Sequence, residues 1–276
     1  ETSLTLPPVS TKAYGRILMW EGASLWIFSA PPGEKYPKTD VHAHHVLQLT
    51  FALTGRVDFE SDGDQVGGEA VAIAPDAPHT FEATGLIVHL FVESDGVAGR
   101  SIVRGLCSER PISPIPHAAI GDFPARFRAT LDNPRHSDDQ LRALGRELIA
   151  RLSGGAVRAD APDPRITKVI AWVGARLERA VSLNDVAELI SLSPGRTRHL
   201  FVEQTGLSFR TYLLWLRLLR ALQLFSEGAQ LTAAAHGAGF ADSAHLSRTF
   251  RRMFGINAAS LRIERQAASG FTGNRP

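Results

Sequence analysis

The sequence predicts an α+β protein with two domains, a strand-rich N-terminal domain and an all-helical C-terminal domain. Between about residues 24 and 104, short apolar or alternating runs are separated by Gly-containing turns, a pattern that is typical of a small β-barrel or sandwich. From residue 123 onward, apolar residues recur at three- and four-residue steps, which indicates helices. A length of 276 residues is sufficient for two domains and a sizeable core.

Composition excludes several classes of protein. The chain is 44% hydrophobic and 21% charged, which is ordinary for a soluble globular protein. No apolar run approaches the length that crosses a bilayer, and the N-terminus lacks the pattern of a secretory signal. The single cysteine, Cys107, excludes an intrachain disulfide and is typical of a reducing compartment. We therefore expect a cytoplasmic protein without a membrane segment.

The formal net charge of +2 is divided unevenly along the chain. Residues 1–162 contain 15 Lys and Arg against 20 Asp and Glu, a net charge of −5. Residues 163–276 contain 15 against 8, a net charge of +7. A polyanion is therefore expected to bind the C-terminal part of the chain.

A stripe of leucines predicts a helix over residues 137–153. Ser137, Asp138 and Asp139 form a suitable N-terminal cap, because acidic side chains favour the positive end of the helix dipole. The stripe consists of Leu141, Leu144, Leu148 and Leu152. Two interpretations are open, since the stripe could pack on its own domain or form the seam of a homodimer.

Residues 154–164 predict a linker, because this stretch is polar and contains Gly154, Gly155, Pro162 and Pro164. The predicted boundaries are therefore an N-terminal domain over residues 1–153, which includes the flanking helices, and a C-terminal helical domain over residues 165–276.

Two half-similar segments dominate the C-terminal domain. Residues 183–206 and 231–255 each predict a helix, a tight turn and a second helix. Corresponding residues are Ala187 and Ala235, Leu192 and Phe240, Phe201 and Phe250, and Gly206 and Gly255. In a helix-turn-helix unit the second helix enters the major groove of DNA, so the repeat predicts two copies of a DNA recognition device.

Residues 237–255 strongly resemble the signature of the AraC/XylS family of bacterial regulators, and the resemblance covers roughly residues 165–262. It implies two helix-turn-helix units that are joined by a long helix over residues 209–225 and bind successive major-groove faces of double-stranded DNA. RNA polymerase is a further candidate partner. The chain departs from the family pattern at Ala258 and Leu261, where Pro and Tyr are common.

The outward-facing residues of the two recognition helices form the candidate DNA-binding surface. In the first unit they are Gly195, Arg196, Arg198 and His199. In the second they are Ser243, Ala244, His245, Ser247, Arg248, Arg251 and Arg252, after an N-cap at Asp242. We expect Arg198 to read a base, because an arginine can bind guanine O6 and N7 together, and Arg251 and Arg252 to contact phosphate. The alternative is that these arginines only keep a helical bundle soluble.

A looser resemblance, to the cupin motifs, covers about residues 24–95. His42, His44 and Gln48 match the first motif and His79 matches the second, with Gly55, Gly68 and Pro75 at supporting positions. The resemblance implies a cupin-like β-barrel with an internal effector site at His42, His44, Gln48 and His79. Three imidazoles from His42, His44 and His79 could hold a divalent transition metal as a cofactor or effector.

The departure from the cupin pattern is Gln48, where metal-binding cupins usually carry Glu. Because an amide oxygen is a weaker ligand, the alternative is a vestigial motif whose side chains bind an organic effector or one another. Two other histidines, His45 and His89, are expected on the opposite face or elsewhere, in structural roles.

These patterns together favour a cytoplasmic, non-enzymatic transcription factor that binds DNA and responds to a small molecule or metal in the N-terminal barrel. The alternative is a metal-dependent cupin enzyme fused to a DNA-binding domain. A constitutive DNA binder is disfavoured, because it would not need the barrel.

Overall fold

The computed structural model describes residues 13–20, 22–30, 34–94, 96–155, 163–205, 207–256 and 261–263. The strands are β1 (Ala13–Trp20), β2 (Ala23–Ser29), β3 (Leu47–Ala52), β4 (Val57–Ser61), β5 (Asp64–Gly68), β6 (Ala70–Ile73), β7 (Thr80–Ala83), β8 (Leu86–Val92), β9 (Ile112–Pro114) and β10 (Leu261–Ile263). The helices are α1 (Val97–Leu106), α2 (His117–Ile120), α3 (Phe123–Asp132), α4 (Asp138–Leu152), α5 (Pro164–Gly174), α6 (Leu183–Leu189), α7 (Pro194–Thr205), α8 (Phe209–Ser226), α9 (Leu231–Gly237) and α10 (Ser243–Phe254).

The N-terminal strands form two sheets. The larger sheet has the strand order β10-β1-β2-β8-β3-β6-β9, and the smaller has the order β5-β4-β7. The expected closed cupin-like barrel is not found among the described strands. One physical reason lies at β1, whose outer edge pairs in parallel with β10 from the C-terminal part of the chain. That edge is therefore already hydrogen-bonded and does not close on the smaller sheet.

Both faces of the larger sheet are covered, and β3 shows how. Its residues are all buried, and successive side chains point to opposite faces. Leu47, Leu49 and Phe51 pack in the core under the helices of the N-terminal domain. Gln48 and Thr50 face the other way and hydrogen-bond each other. The side of the sheet away from these helices therefore carries a buried polar site.

The leucine stripe packs inside its own domain. Leu141, Leu144 and Leu148 are buried in the core between α4 and the larger sheet. The helix begins with the expected cap, in which the side chains of Ser137 and Gln140 accept each other's backbone N–H groups. These leucines are not available for a dimer seam, so a homodimer through this helix would have to use its outer, charged face.

The C-terminal helices confirm the internal repeat. In the turn of the first unit the N–H of Leu192 donates to the carbonyl of Ala187 over 2.9 Å, and in the second Phe240 donates to Ala235 over the same distance. Local hydrogen bonding thus reproduces the correspondence seen in the sequence. The predicted linker stays a prediction, because residues 156–162 lie outside the described residues, as does Ala258.

One of the hydrophobic cores contains residues from both parts of the chain. The ring of Phe254, at the end of α10, lies 4.7 Å from Trp26 of β2 and 5.9 Å from Phe91 of β8, measured between centroids. Trp215 of α8 belongs to the same buried cluster. Consequently the second helix-turn-helix unit packs directly on the larger sheet.

Among the described helices, none combines the length and apolar character that crossing a bilayer requires.

Candidate functional site

The outward face of α7 is the first half of the candidate DNA-binding surface. Thr197 and Phe201 are fully buried and fix the orientation of the helix. The four residues expected to face outward, Gly195, Arg196, Arg198 and His199, are all exposed. Their exposure agrees with the expectation, while their contact with DNA stays a prediction.

The second recognition helix, α10, begins at the expected cap. The Asp242 carboxylate accepts the backbone N–H of His245 over 2.6 Å, and this hydrogen bond lowers the pKa of Asp242. Leu246, Phe250 and Met253 point into the core. Of the seven residues expected to face DNA, four are exposed and three are half-buried. The exposed ones are Ala244, Arg248, Arg251 and Arg252, and the half-buried ones are Ser243, His245 and Ser247.

Several arginines on the two recognition helices carry a positive charge that no acidic side chain in the described part of the chain pairs with. Within the described residues, no ion pair engages Arg196, Arg198, Arg248 or Arg252. Arg251 differs, because its Nε lies 2.6 Å from Oδ2 of Asp40 in the N-terminal domain. Unpaired guanidinium groups on helix faces are what phosphate binding requires.

Three buried histidines converge in the N-terminal domain. His42, His44 and His79 are 7%, 1% and 1% exposed, and each offers a ring nitrogen within 4.8 Å of the others. The backbones of His42 and His79 pair through two hydrogen bonds of 3.0 and 2.9 Å, which bring the segment before β3 against the segment before β7. The sequence motifs therefore identified residues that the fold does bring together.

Backbone carbonyls determine which nitrogen of each ring carries the proton. Nδ1 of His42 lies 2.9 Å from the carbonyl of Asp40, Nδ1 of His44 lies 3.0 Å from that of Val46, and Nδ1 of His79 lies 2.8 Å from that of Ala77. Since a carbonyl only accepts, each Nδ1 must be the donor, and each Nε2 is left with a lone pair. This is the tautomer that metal-binding histidines adopt.

Burial keeps these rings neutral. It lowers the pKa of His44 to about 4 and that of His79 to about 2, and the neighbouring histidines lower both pKa values further. In the described residues, Nε2 of His79 is buried without a hydrogen-bond partner. Three neutral rings with their lone pairs close together can accept a cation or a ligand that donates hydrogen bonds.

Gln48 extends the histidine cluster. Its Oε1 lies 2.6 Å from Nε2 of His44, and its amide nitrogen donates to Oγ1 of Thr50 over 2.9 Å. In this orientation Oε1 and Nε2 are both acceptors. Their approach is favourable when the amide is turned so that its NH2 group donates to Nε2 of His44.

The sequence predicts His89 on another face, and the structure corrects this. It is buried beside Gln48 and Thr50, with Nδ1 2.9 Å from Oγ1 of Thr50, and burial lowers its pKa to about 3. Strand parity alone could not place it, because β3 and β8 are joined only by non-local pairing. His45 does lie outside the cluster, against Asp76. We define the histidine site as His42, His44, Gln48, His79 and His89.

A cleft of about 1000 Å³ is lined on one side by the N-terminal domain and on the other by the C-terminal helices. His42 lines it, so the histidine site borders on the cleft. The opposite wall carries Arg210 and Arg217 of α8, together with Arg248 and Arg252 of α10. The histidine site and the candidate DNA-binding surface are therefore neighbours across this cleft.

Comparison with known proteins supports the interpretation of the C-terminal helices as a DNA-binding domain. A family model described as "Helix-turn-helix domain" matches residues 186–263. The chain is similar to the HTH-type transcriptional activator RhaS of Klebsiella pneumoniae, with 28% identity over 254 residues, which is 82% of this chain and 87% of that protein. It is also similar to RhaS of Escherichia fergusonii, with 39% identity over 124 residues, which is 44% of each chain. The match to this second relative therefore spans less than half of its length.

Solved structures show a similar fold over most of the chain. ToxT from Vibrio cholerae O395 has a TM-score of 0.54 at 13% identity and matches 86% of this chain and 95% of its own. A ToxT structure with a bound unsaturated fatty acid has a TM-score of 0.50 at 12% identity, over 86% and 93%. Two helix-turn-helix units repeat in the chain, the second carries the family motif, and the relatives are named transcriptional activators. These findings support the resemblance of the chain to the AraC/XylS family of transcriptional regulators.

Proposed function

We propose that this regulator binds a specific DNA sequence through α7 and α10 and responds to an effector in the histidine site. The two repeated recognition helices with their unpaired arginines carry the DNA-binding half of the proposal. Arg198 is the candidate base reader because it is exposed at the N-terminal end of α7. Phosphate contact is assigned to Arg252, near the C-terminal end of α10.

The buried polar cluster supports effector binding in the N-terminal domain. A protein gains no stability by burying several imidazoles and an amide where apolar side chains would pack, so a ligand role explains them better than packing does. The unpartnered Nε2 of His79 is the single observation that favours this role most. An effector needs a different affinity for two arrangements of the domains if it is to regulate.

A divalent transition metal is the effector that the donor set fits best. His42, His44 and His79 present three imidazole lone pairs, and Oε1 of Gln48 is available as a fourth, neutral ligand. Zinc, nickel and copper favour imidazole nitrogen. The second candidate is an organic molecule that donates hydrogen bonds to the same atoms. The unsaturated fatty acid bound to ToxT makes a small organic effector a reasonable comparison.

Elemental analysis and native mass spectrometry of the full chain test the effector. We expect about one metal ion per chain, lost in His44→Ala and retained in His45→Ala, because His45 lies outside the site. A reporter with the target promoter should stop responding to effector in His44→Ala only. A His44→Ala protein that binds and responds like wild type would contradict the proposed site.

Further partners follow from the same proposal. The relatives are named transcriptional activators, which supports RNA polymerase as a partner and a sensing rather than catalytic role for the histidine site. A regulator of a bacterial family works where the chromosome is, in the cytoplasm. A homodimer through the outer face of α4 stays a prediction, which sedimentation of the full chain with and without DNA would check.

A further inference from the structure

The face of α10 that is proposed to contact DNA is turned toward the N-terminal domain. His245, Arg248 and Arg252 line the cleft, and its other wall includes Val41 and Pro78. A B-DNA major groove is about 12 Å wide and is bordered by a phosphate backbone on each side of an inserted helix. In this arrangement the N-terminal domain lies beside the helix face that would enter the groove, on the side where a phosphate backbone would run.

A specific ion pair holds this arrangement. Nε of Arg251 donates to Oδ2 of Asp40 over 2.6 Å, and both side chains are more than half exposed. Arg251 is also a proposed phosphate contact. A carboxylate and a phosphate offer a guanidinium group the same kind of anionic oxygen, so Asp40 and DNA would compete for one donor.

We infer that the N-terminal domain docks on α10 as a competitor of DNA, with the Asp40 carboxylate in the place of a DNA phosphate on Arg251. The docked arrangement binds DNA weakly through its second unit, and DNA binding requires that this contact opens. The inference rests on the proposed DNA-binding role of α10 and adds how that role is controlled.

Asp40 also connects this contact between the N-terminal domain and α10, called the dock below, to the histidine site. Its N–H donates to the carbonyl of Gly255 over 2.9 Å, and its own carbonyl accepts Nδ1–H of His42 over 2.9 Å. Gly255 ends α10 with a φ of +67°, and a Cβ there would lie 2.6 Å from Nδ1 of His42. The end of the recognition helix thus touches a residue of the histidine site, so a ligand that moves His42 acts directly on the dock.

Asp40→Asn in the full chain is the test, because it removes the charge at an exposed position and leaves the fold intact. DNA affinity is measured by fluorescence anisotropy on a duplex site that is selected from a randomised pool. We expect a gain of about 1.5- to 5-fold, which is the range for loss of one exposed ion pair. Asp58→Asn is the matched control, since Asp58 pairs with Arg56 inside its own domain and should leave the affinity unchanged.

A double-mutant cycle separates release of the dock from a general change in charge. In an Arg251→Ala background, Asp40→Asn should no longer raise the affinity, because its partner is gone. A gain that persists there, an equal gain in Asp58→Asn, or no gain in Asp40→Asn alone overturns the inference. If neither wild type nor Asp40→Asn binds any duplex with salt dependence, the proposed DNA-binding function itself fails.

Discussion

In the first helix-turn-helix unit α7 packs in a core whose described residues all come from the C-terminal part, and its outward face is exposed, whereas in the second unit α10 packs against the N-terminal sheet. The two turns are nevertheless closed by equivalent hydrogen bonds. Similar local sequences thus produce similar units with different access to a partner. The difference lies in the surroundings of the two helices, because only the core around α10 includes residues of the N-terminal sheet.

The two core phenylalanines provide the largest test of this difference. Phe201 and Phe250 are both fully buried, and replacing either by Ala should lower the free energy of unfolding by about 3–5 kcal/mol. Phe250 lies in the core shared with the N-terminal sheet, and Phe201 lies in a core of C-terminal residues. Hydrogen exchange should therefore show loss of protection in β1 and β2 for Phe250→Ala only. Equal loss in both variants would mean that the cores are not separate.

The second largest effect is expected from acid, which should destabilise the N-terminal domain because that domain contains the buried histidines. Burial lowers the pKa of His44 to about 4 and that of His89 to about 3, from 6.5, so the unfolded chain binds more protons below pH 6.5. Stability should therefore fall as pH falls from about 6.5 toward 4, by on the order of 1.4 kcal/mol per pH unit for each such histidine. Denaturant unfolding across this range measures the slope, which should decrease in His44→Asn. An unchanged slope would show that these rings are not buried in the neutral form.

Base reading and phosphate contact should separate the recognition helices. Arg198→Ala should cost about 1–3 kcal/mol at the selected DNA site and relax base choice at one position. Arg252→Ala should weaken all sequences about equally and reduce the magnitude of the salt slope by about 1. Anisotropy titrations on selected and random duplexes check both. The assigned roles are wrong if the two variants lose the same affinity on both duplexes.

The helix caps provide the smallest effect. Asp242→Ala removes the side chain that accepts the N–H of His245, and Ser182→Ala removes the equivalent acceptor for Asp185 before α6. Each should lower the free energy of unfolding by about 1 kcal/mol, and Asp242→Asn should largely restore the cap. A loss much greater than this in Asp242→Ala would indicate that the cap also supports the contact with the N-terminal domain.

Local and repeated features could be predicted from the sequence. The caps at Ser137 and Asp242 and the helix-turn-helix repeat depend on residues close together in the chain, so a local pattern is enough to predict them. His42, His44 and His79 could be identified because short motifs carry them. The place of His89 and the docking of α10 depend on strand pairing and domain packing between distant residues, and no local pattern encodes these contacts.

The parallel pairing of β1 with β10 also has a consequence for synthesis of the chain. About 240 residues separate the two strands, from Trp20 to Leu261. At about 5–20 residues per second, the ribosome needs roughly 10–50 s to make that stretch. Throughout this interval the hydrogen-bonding edge of β1 lacks its partner, which is the condition that favours pairing with other chains. The larger sheet can therefore be completed only after β10 has emerged from the ribosome.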